Sequence, residues 1–192
     1  MSEAHLVGKA LRHVVWDIAY SSDLPRASRT CRILLEQSLG DGDSASRVAI
    51  ETPLVREVHY GVREMLPCLT TTAEARVLVA ARLGIDEKDV VDTAETPEHI
   101  RERQSEFLQK LRDDFSGTTH VVKVLCVSHG GFIKRFLDGF CGHTIKKIHN
   151  CSISMVCVSW SDDLPEILCT TEETAVDFVD HVSAADIVYP FV

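Results

Sequence analysis

Ser128-His129-Gly130-Gly131 places an imidazole beside paired glycines at the point where the hydrophobic period of the chain changes. Upstream, Val121, Val122, Val124, Leu125, Cys126 and Val127 form a short apolar run that predicts a buried strand. Downstream, Ile133, Phe136, Leu137 and Phe140 recur at helical spacing. Ligands of α/β sheets bind at the carboxyl ends of strands, and a helix N-terminus offers free N–H groups to an anion. Glycines let the anion come close to the backbone. His129 and Gly130 therefore stand where phosphate chemistry is possible; the plainer reading is a histidine that caps a turn.

A second strand–turn–helix unit runs from Ile18-Ala19-Tyr20 through Ser21-Ser22-Asp23-Leu24-Pro25. Ser22 or Asp23 can cap the following helix, and Pro25 suits its first turn. Arg26 follows, where a cation opposes the helix dipole at a cost of about 0.3–1 kcal/mol. An anion held between that guanidinium and the helix start would reverse the sign; a side chain bent into solvent would simply avoid the cost. A third candidate is Glu57, embedded between apolar residues before Gly61. A partly buried carboxyl has a raised pKa and can donate a proton, but it can equally be an ion-pair partner of Arg56 or Arg63.

Several helices and strands must hold these residues. A helix is expected over about Ser2 to His13, then the Ile18 strand, then a helix to about Leu39. Val48-Ala49-Ile50 predicts a strand. From about 71 to 117 the chain makes a helical excursion, with a Thr71/Glu74 capping box before Val77, Leu78, Ala81 and Leu83, and a helix from Thr96-Pro97 with Ile100, Phe107, Leu108, Leu111 and Phe115 inward. Two more strands are expected, one around Ile153, Met155, Cys157 and Trp160, the other over Glu166 to Cys169. The tail from Thr170 to Val192 is weakly patterned. Strands alternating with helices predict an α/β fold in a single domain spanning residues 1–192.

With 192 residues, 45% hydrophobic and 26% charged, the chain can bury a sizeable core. A net charge of −9 argues against a general nucleic-acid or anionic-membrane binder, which needs a basic face. Seven cysteines without a CxxC pair sit mostly in apolar stretches and read as small hydrophobes in a reducing, cytoplasmic compartment. Met1 to Asp17 lacks the basic and apolar regions of a secretory leader, and no apolar run approaches the ~20 residues of a membrane span.

Three blocks in this order resemble the histidine phosphatase superfamily, in its phosphoglycerate-mutase-like branch. Tyr20 to Thr30 is similar to "SSDLxRAxQT", Val55 to Glu64 to "LRExxYGxxEG", and Val127 to Gly131 to "VSHGG". Glu95-Thr96-Pro97 with Arg103 faintly resembles the "GES…R" helix, and His149 to Ser152 the "PNTS" segment. The resemblance implies a three-layer fold, a mostly parallel sheet with helices on both faces, and no cofactor. It implies phosphate contacts from Arg26, Ser22, Gly130 and His129, and a general acid at Glu57. The layout and Val179 to Val182 look most like TIGAR-type fructose-2,6-bisphosphatases. That implies a small phosphorylated metabolite, a sugar bisphosphate, as partner.

One departure weighs against activity. The family opens with a strand ending in "RHGE", whose histidine is the nucleophile, and the sequence contains no such motif. Met1 to Leu11 aligns with the helix that follows it, and Arg12-His13 continues into Val14-Val15. The reading is a domain lacking its first strand, with an open groove or an edge expected at Val122–Val127. It is either a shortened phosphatase or a non-catalytic phosphate-binding module. Lys134, Arg135, Lys146 and Lys147 can gather a second phosphate or face solvent. A metal reading of Cys141, His143, His149 and Cys151 has a spacing that fits no common zinc site, and His181 reads as an ordinary terminal histidine.

Overall fold

A computed structural model describes residues 3–37, 48–64, 66–67, 70–140, 142, 148–161 and 164–171. Two compact units emerge, one made of residues 1–57 and 103–192, the other of 58–102.

In the first unit, Ile18–Ser22 (β1) runs between Ile50–Thr52 (β2) and Val124–Val127 (β3), and all three strands are parallel. The register sets Ser22 opposite Thr52 and Ser21 opposite Val127. The carboxyl ends of the strands are therefore level, and the residues that follow each strand emerge at the same edge. The other end is fastened by Asp17, whose N–H donates to the Lys123 carbonyl at 3.0 Å and whose carboxylate accepts the Lys123 N–H at 2.7 Å.

The side chains of these strands alternate between two covered faces. Ala19 and Leu125 pack with Val7 of Glu3–Ala10 (α1) and with Cys31, Leu34 and Leu35 of Pro25–Gln37 (α2). On the opposite face, Tyr20 packs with Val55, with Phe107 of the helix Pro97–Asp114 and with Phe132 of the helix Gly130–Phe140. Each buried aliphatic or aromatic side chain contributes about 1.5–3 kcal/mol. Tyr20 and Phe107 also meet edge to face at 5.6 Å, worth ~0.5–1.5 kcal/mol more. The Tyr20 hydroxyl donates to Asp114, whose carboxylate pairs with Lys110 at 2.9 Å. The result is the expected three-layer arrangement of helices on both faces of a parallel sheet.

Among the described residues β3 pairs with β1 alone. Ser154–Ser161 (β4) and Leu164–Thr171 (β5) form a separate antiparallel pair. The strand expected from Val121 starts only at Val124, because β1 begins at Ile18, its register partner. Val121 is accordingly 81% exposed. Cysteine usage also differs from expectation. Cys31 is buried, but Cys126 lies exposed on its edge strand, and Cys157 is on the exposed alternation of β4.

The second unit holds the helix Thr72–Leu83 (α3) and its own small core of Val62, Ala75, Ala80 and Val90. The capping box expected at Thr71 and Glu74 is present, and Gly84 closes the helix at φ 67°. Val77, Leu78 and Leu83 are exposed, and the smaller Ala75 and Ala80 are buried. Gly61 is required where it stands, since it has φ 57° and a Cβ there would lie 2.0 Å from Asp92 Oδ1. The remaining two helices in chain order are Pro97–Asp114 (α4), which leads back to the sheet, and Gly130–Phe140 (α5), which leaves it after β3.

Candidate functional site

β1 leads directly into α2, and β3 into α5, so two turns meet at one end of the sheet. Ser22 ends β1, and its hydroxyl accepts the Leu24 N–H at 3.2 Å, which shapes the turn into Pro25. One helical residue later, Arg26 turns inward and its Nε–H donates to His129 Nδ1 at 3.0 Å. The other ring nitrogen, Nε2, lies 2.9 Å from Ser22 Oγ. Because Nδ1 accepts, the neutral ring carries its proton on Nε2 and donates it to the serine.

His129 is 6% exposed and Ser22 fully buried. Burial lowers the pKa of His129, and the Arg26 and Arg103 guanidiniums push the same way, opposed by Glu57 and Asp23. The free site thus pairs a cation with an uncharged imidazole. An anion brought to Arg26 would draw its N–H groups away and leave Nδ1 able to take up a proton, turning the ring into a second donor.

Glu57 enters from the segment after β2. Thr52 caps a single 3-10 turn over Pro53–Val55, its hydroxyl accepting the Leu54 N–H at 3.3 Å. The chain then extends, and the Glu57 carboxylate accepts N–H groups of Gly131 and Phe132 at 3.4 and 3.2 Å. The start of α5 is therefore satisfied by a carboxylate from within the chain. The expected arginine partners of Glu57 lie elsewhere: Arg56 forks onto Asp23 with two contacts of 2.6 Å, and Arg63 rests over the Tyr60 ring. The Arg56 guanidinium holds the Asp23 carboxyl below its ordinary range.

Four residues singled out from the sequence, Ser22, Arg26, Glu57 and His129, are brought together, and Gly130 begins the helix beside them. Sequence reasoning missed three groups that fix them: the Asp23–Arg56 fork, Ser128, and the grip of Arg103 on backbone carbonyls. Only the "GES…R" spacing drew attention to Arg103. Lys134 pairs with Asp138 at 2.7 Å along its own helix, and Arg135 donates to the Gly131 carbonyl. Lys146, Lys147, Cys141, His143 and His181 lie outside the described residues. Arg12 and His13 are exposed, bond to each other at 3.0 Å, and precede β1, whose far end carries Ser22. Ser21 Oγ is buried and has no hydrogen-bond partner among the described residues.

The model for the histidine phosphatase superfamily (branch 1) matches residues 1–169. Among solved structures, Bacillus stearothermophilus YhfR superposes with a TM-score of 0.62 at 19% identity, over 91% of this chain and 83% of that one. Mycobacterial glucosyl-3-phosphoglycerate phosphatase, in a complex with VO3, gives a TM-score of 0.57 at 20% identity, over 88% and 79% of the two chains. The same mycobacterial enzyme has been solved with inorganic phosphate, at 19% identity and a TM-score of 0.56, over 88% of this chain and 82% of that one. These identities establish a common fold. No curated protein sequence matches the chain.

Proposed function

The chain belongs to the histidine phosphatase superfamily, branch 1, and from that premise we propose that Ser22, Arg26, His129 and Glu57 form a pocket for the phosphate group of a small phosphorylated metabolite. The observation that carries this reading is the Arg26–His129–Ser22 chain of contacts, 3.0 and 2.9 Å long, at the level carboxyl ends of a parallel sheet. Arg26 supplies charge, the Ser22 hydroxyl supplies a donor, and His129 becomes a second cation once an anion draws the guanidinium away. Glu57 stands at the start of α5 as the group that would protonate a leaving oxygen. A sugar bisphosphate of the fructose-2,6-bisphosphate kind is the substrate class suggested by the sequence resemblance.

Catalysis in the family passes through a phosphohistidine on an "RHGE" histidine, and these residues contain no such motif. No hydrogen bond joins a second histidine to His129 among the described residues. Removal of a nucleophile costs on the order of 10⁶ in kcat in a well-studied protease. We therefore read these 192 residues by themselves as a phosphate-binding domain, with turnover dependent on a histidine from elsewhere. Among the described residues β3, which leads into the turn that carries His129, pairs on one side only, and a strand added on its other side is how such a histidine would be supplied. The second reading, a phosphatase active as it stands, has Glu57 in its favour, since a binding module has no use for a proton donor.

The test is an assay of the purified chain against fructose bisphosphates and a generic phosphate ester, with binding of inorganic phosphate measured in parallel. Binding that Arg26→Ala removes, without turnover, supports the binding domain. Turnover abolished by His129→Ala would overturn it in favour of the enzyme.

A further inference from the structure

The segment Leu54–Glu57 adds no strand to the sheet, yet each carbonyl from 54 to 56 is held by a side chain from a neighbouring element. Arg103 Nη1 donates to both the Leu54 and the Arg56 carbonyls at 2.9 Å. Ser128 Oγ donates to the Val55 carbonyl at 2.7 Å. The face of the Arg103 guanidinium lies 5.0 Å from the centroid of the Phe132 ring. Phe132 is the residue whose N–H donates to the Glu57 carboxylate. Arg103 thus touches both partners of one contact: the backbone that leads into Glu57 and the helix turn that Glu57 caps.

We infer that Arg103 is the positioning residue for Glu57, fixing its carboxylate at the start of α5 and within electrostatic reach of His129. A flat face stacked on an aromatic ring holds the nitrogen that bridges two carbonyls; a lysine ammonium can donate to two carbonyls but has no plane to stack. The inference rests on the reading of Glu57 as part of the phosphate pocket, since positioning matters only if the carboxylate has a task there.

The charged groups that face His129 are Arg26 from α2, Asp23 from the turn before it, Arg103 from α4, and Glu57. Substituting Arg103→Lys keeps the charge and loses the stacked guanidinium plane that holds the bridging nitrogen in place. A double-mutant cycle on the His129 ring, titrated by NMR in the histidine-labelled chain, isolates the coupling. The four proteins are wild type, Arg103→Lys, Glu57→Gln and the double variant. The expected result is a His129 midpoint that falls on Arg103→Lys in the wild-type background, as the carboxylate loosens its hold, and stays put in the Glu57→Gln background. An equal shift in both backgrounds, or none in either, would overturn the inference. Should Arg103→Lys fail to fold, Arg103→Gln compared across the same two Glu57 backgrounds gives the same cycle, because its direct charge effect cancels. Adding inorganic phosphate to the same samples separates the two claims. A His129 ring that ignores phosphate sinks the pocket reading, and the cycle still decides whether Arg103 positions Glu57.

Discussion

Helices α2 and α5 both start beside His129, α2 through Arg26 and α5 at the very next residue, and they treat negative charge in opposite ways. The first turn of α2 carries no acid and one cation, Arg26, aimed at His129. The first turn of α5 also carries no acid of its own, but its N–H groups donate to the carboxylate of Glu57 from a distant part of the chain. A helix start with an unneutralised cation is open to a ligand, whereas one already capped by a carboxylate is not. The helix α3 provides a reference, since its start is closed locally by Thr71 and Glu74. The comparison separates a helix start that carries a cation and no acid from two that are satisfied by carboxylates within the chain.

The largest effect is expected from removing the cation. Arg26→Gln should weaken binding of inorganic phosphate by roughly 10- to 100-fold, the worth of a charge-assisted hydrogen bond of about 1.5–3 kcal/mol, as read by calorimetry. Lys134→Gln, which breaks only a pair along α5, should leave that affinity unchanged. Next is the reference helix. Thr71→Ala should destabilise the chain by about 1 kcal/mol in urea unfolding, with phosphate affinity untouched. Glu57→Gln should cost ~0.3–1 kcal/mol of stability, because α5 loses a charge at its start. It should also tighten phosphate binding, since a negative group beside the pocket is gone. Weaker binding in Glu57→Gln would contradict the contrast between the two helix starts.

The smallest expected effect is on pH dependence. The folded pKa of His129 lies below its ordinary 6.5, through burial first and Arg26 second. The unfolded chain therefore binds the proton more readily, so this residue's contribution is fully present above pH 6.5 and is lost as pH falls below it toward the folded value. His129→Asn should flatten that part of the stability profile. A profile that stays equally steep would assign the slope to other groups.

Much of this was legible in the sequence because local rules governed it. The period change at Ser128, the turn residues Ser22 to Pro25, and the Thr71 capping box each form from neighbouring residues, and each appears in the structure. Contacts across long separations were not legible. Nothing local to Glu57 indicates that it would cap a helix more than 70 positions later, or that Arg56, next to it, would choose Asp23. Which face of α3 is buried was not legible either. Val77, Leu78 and Leu83 are more hydrophobic than Ala75 and Ala80, yet it is the alanines that are buried, in a cluster with Val62 and Val90. The start of β3 was set by the length of its partner, which no property of Val121 to Lys123 reveals.

The central claim, that an anion is received at Arg26 and His129, is tested most directly by a titration of the isotopically labelled chain with inorganic phosphate, followed by NMR. The account predicts that the ring signals of one histidine, His129, move with the amides of Ser22 to Arg26, while the amides of α3 stay fixed. Phosphate-induced shifts that miss both of these turns, or no shifts at all at millimolar phosphate, would contradict it.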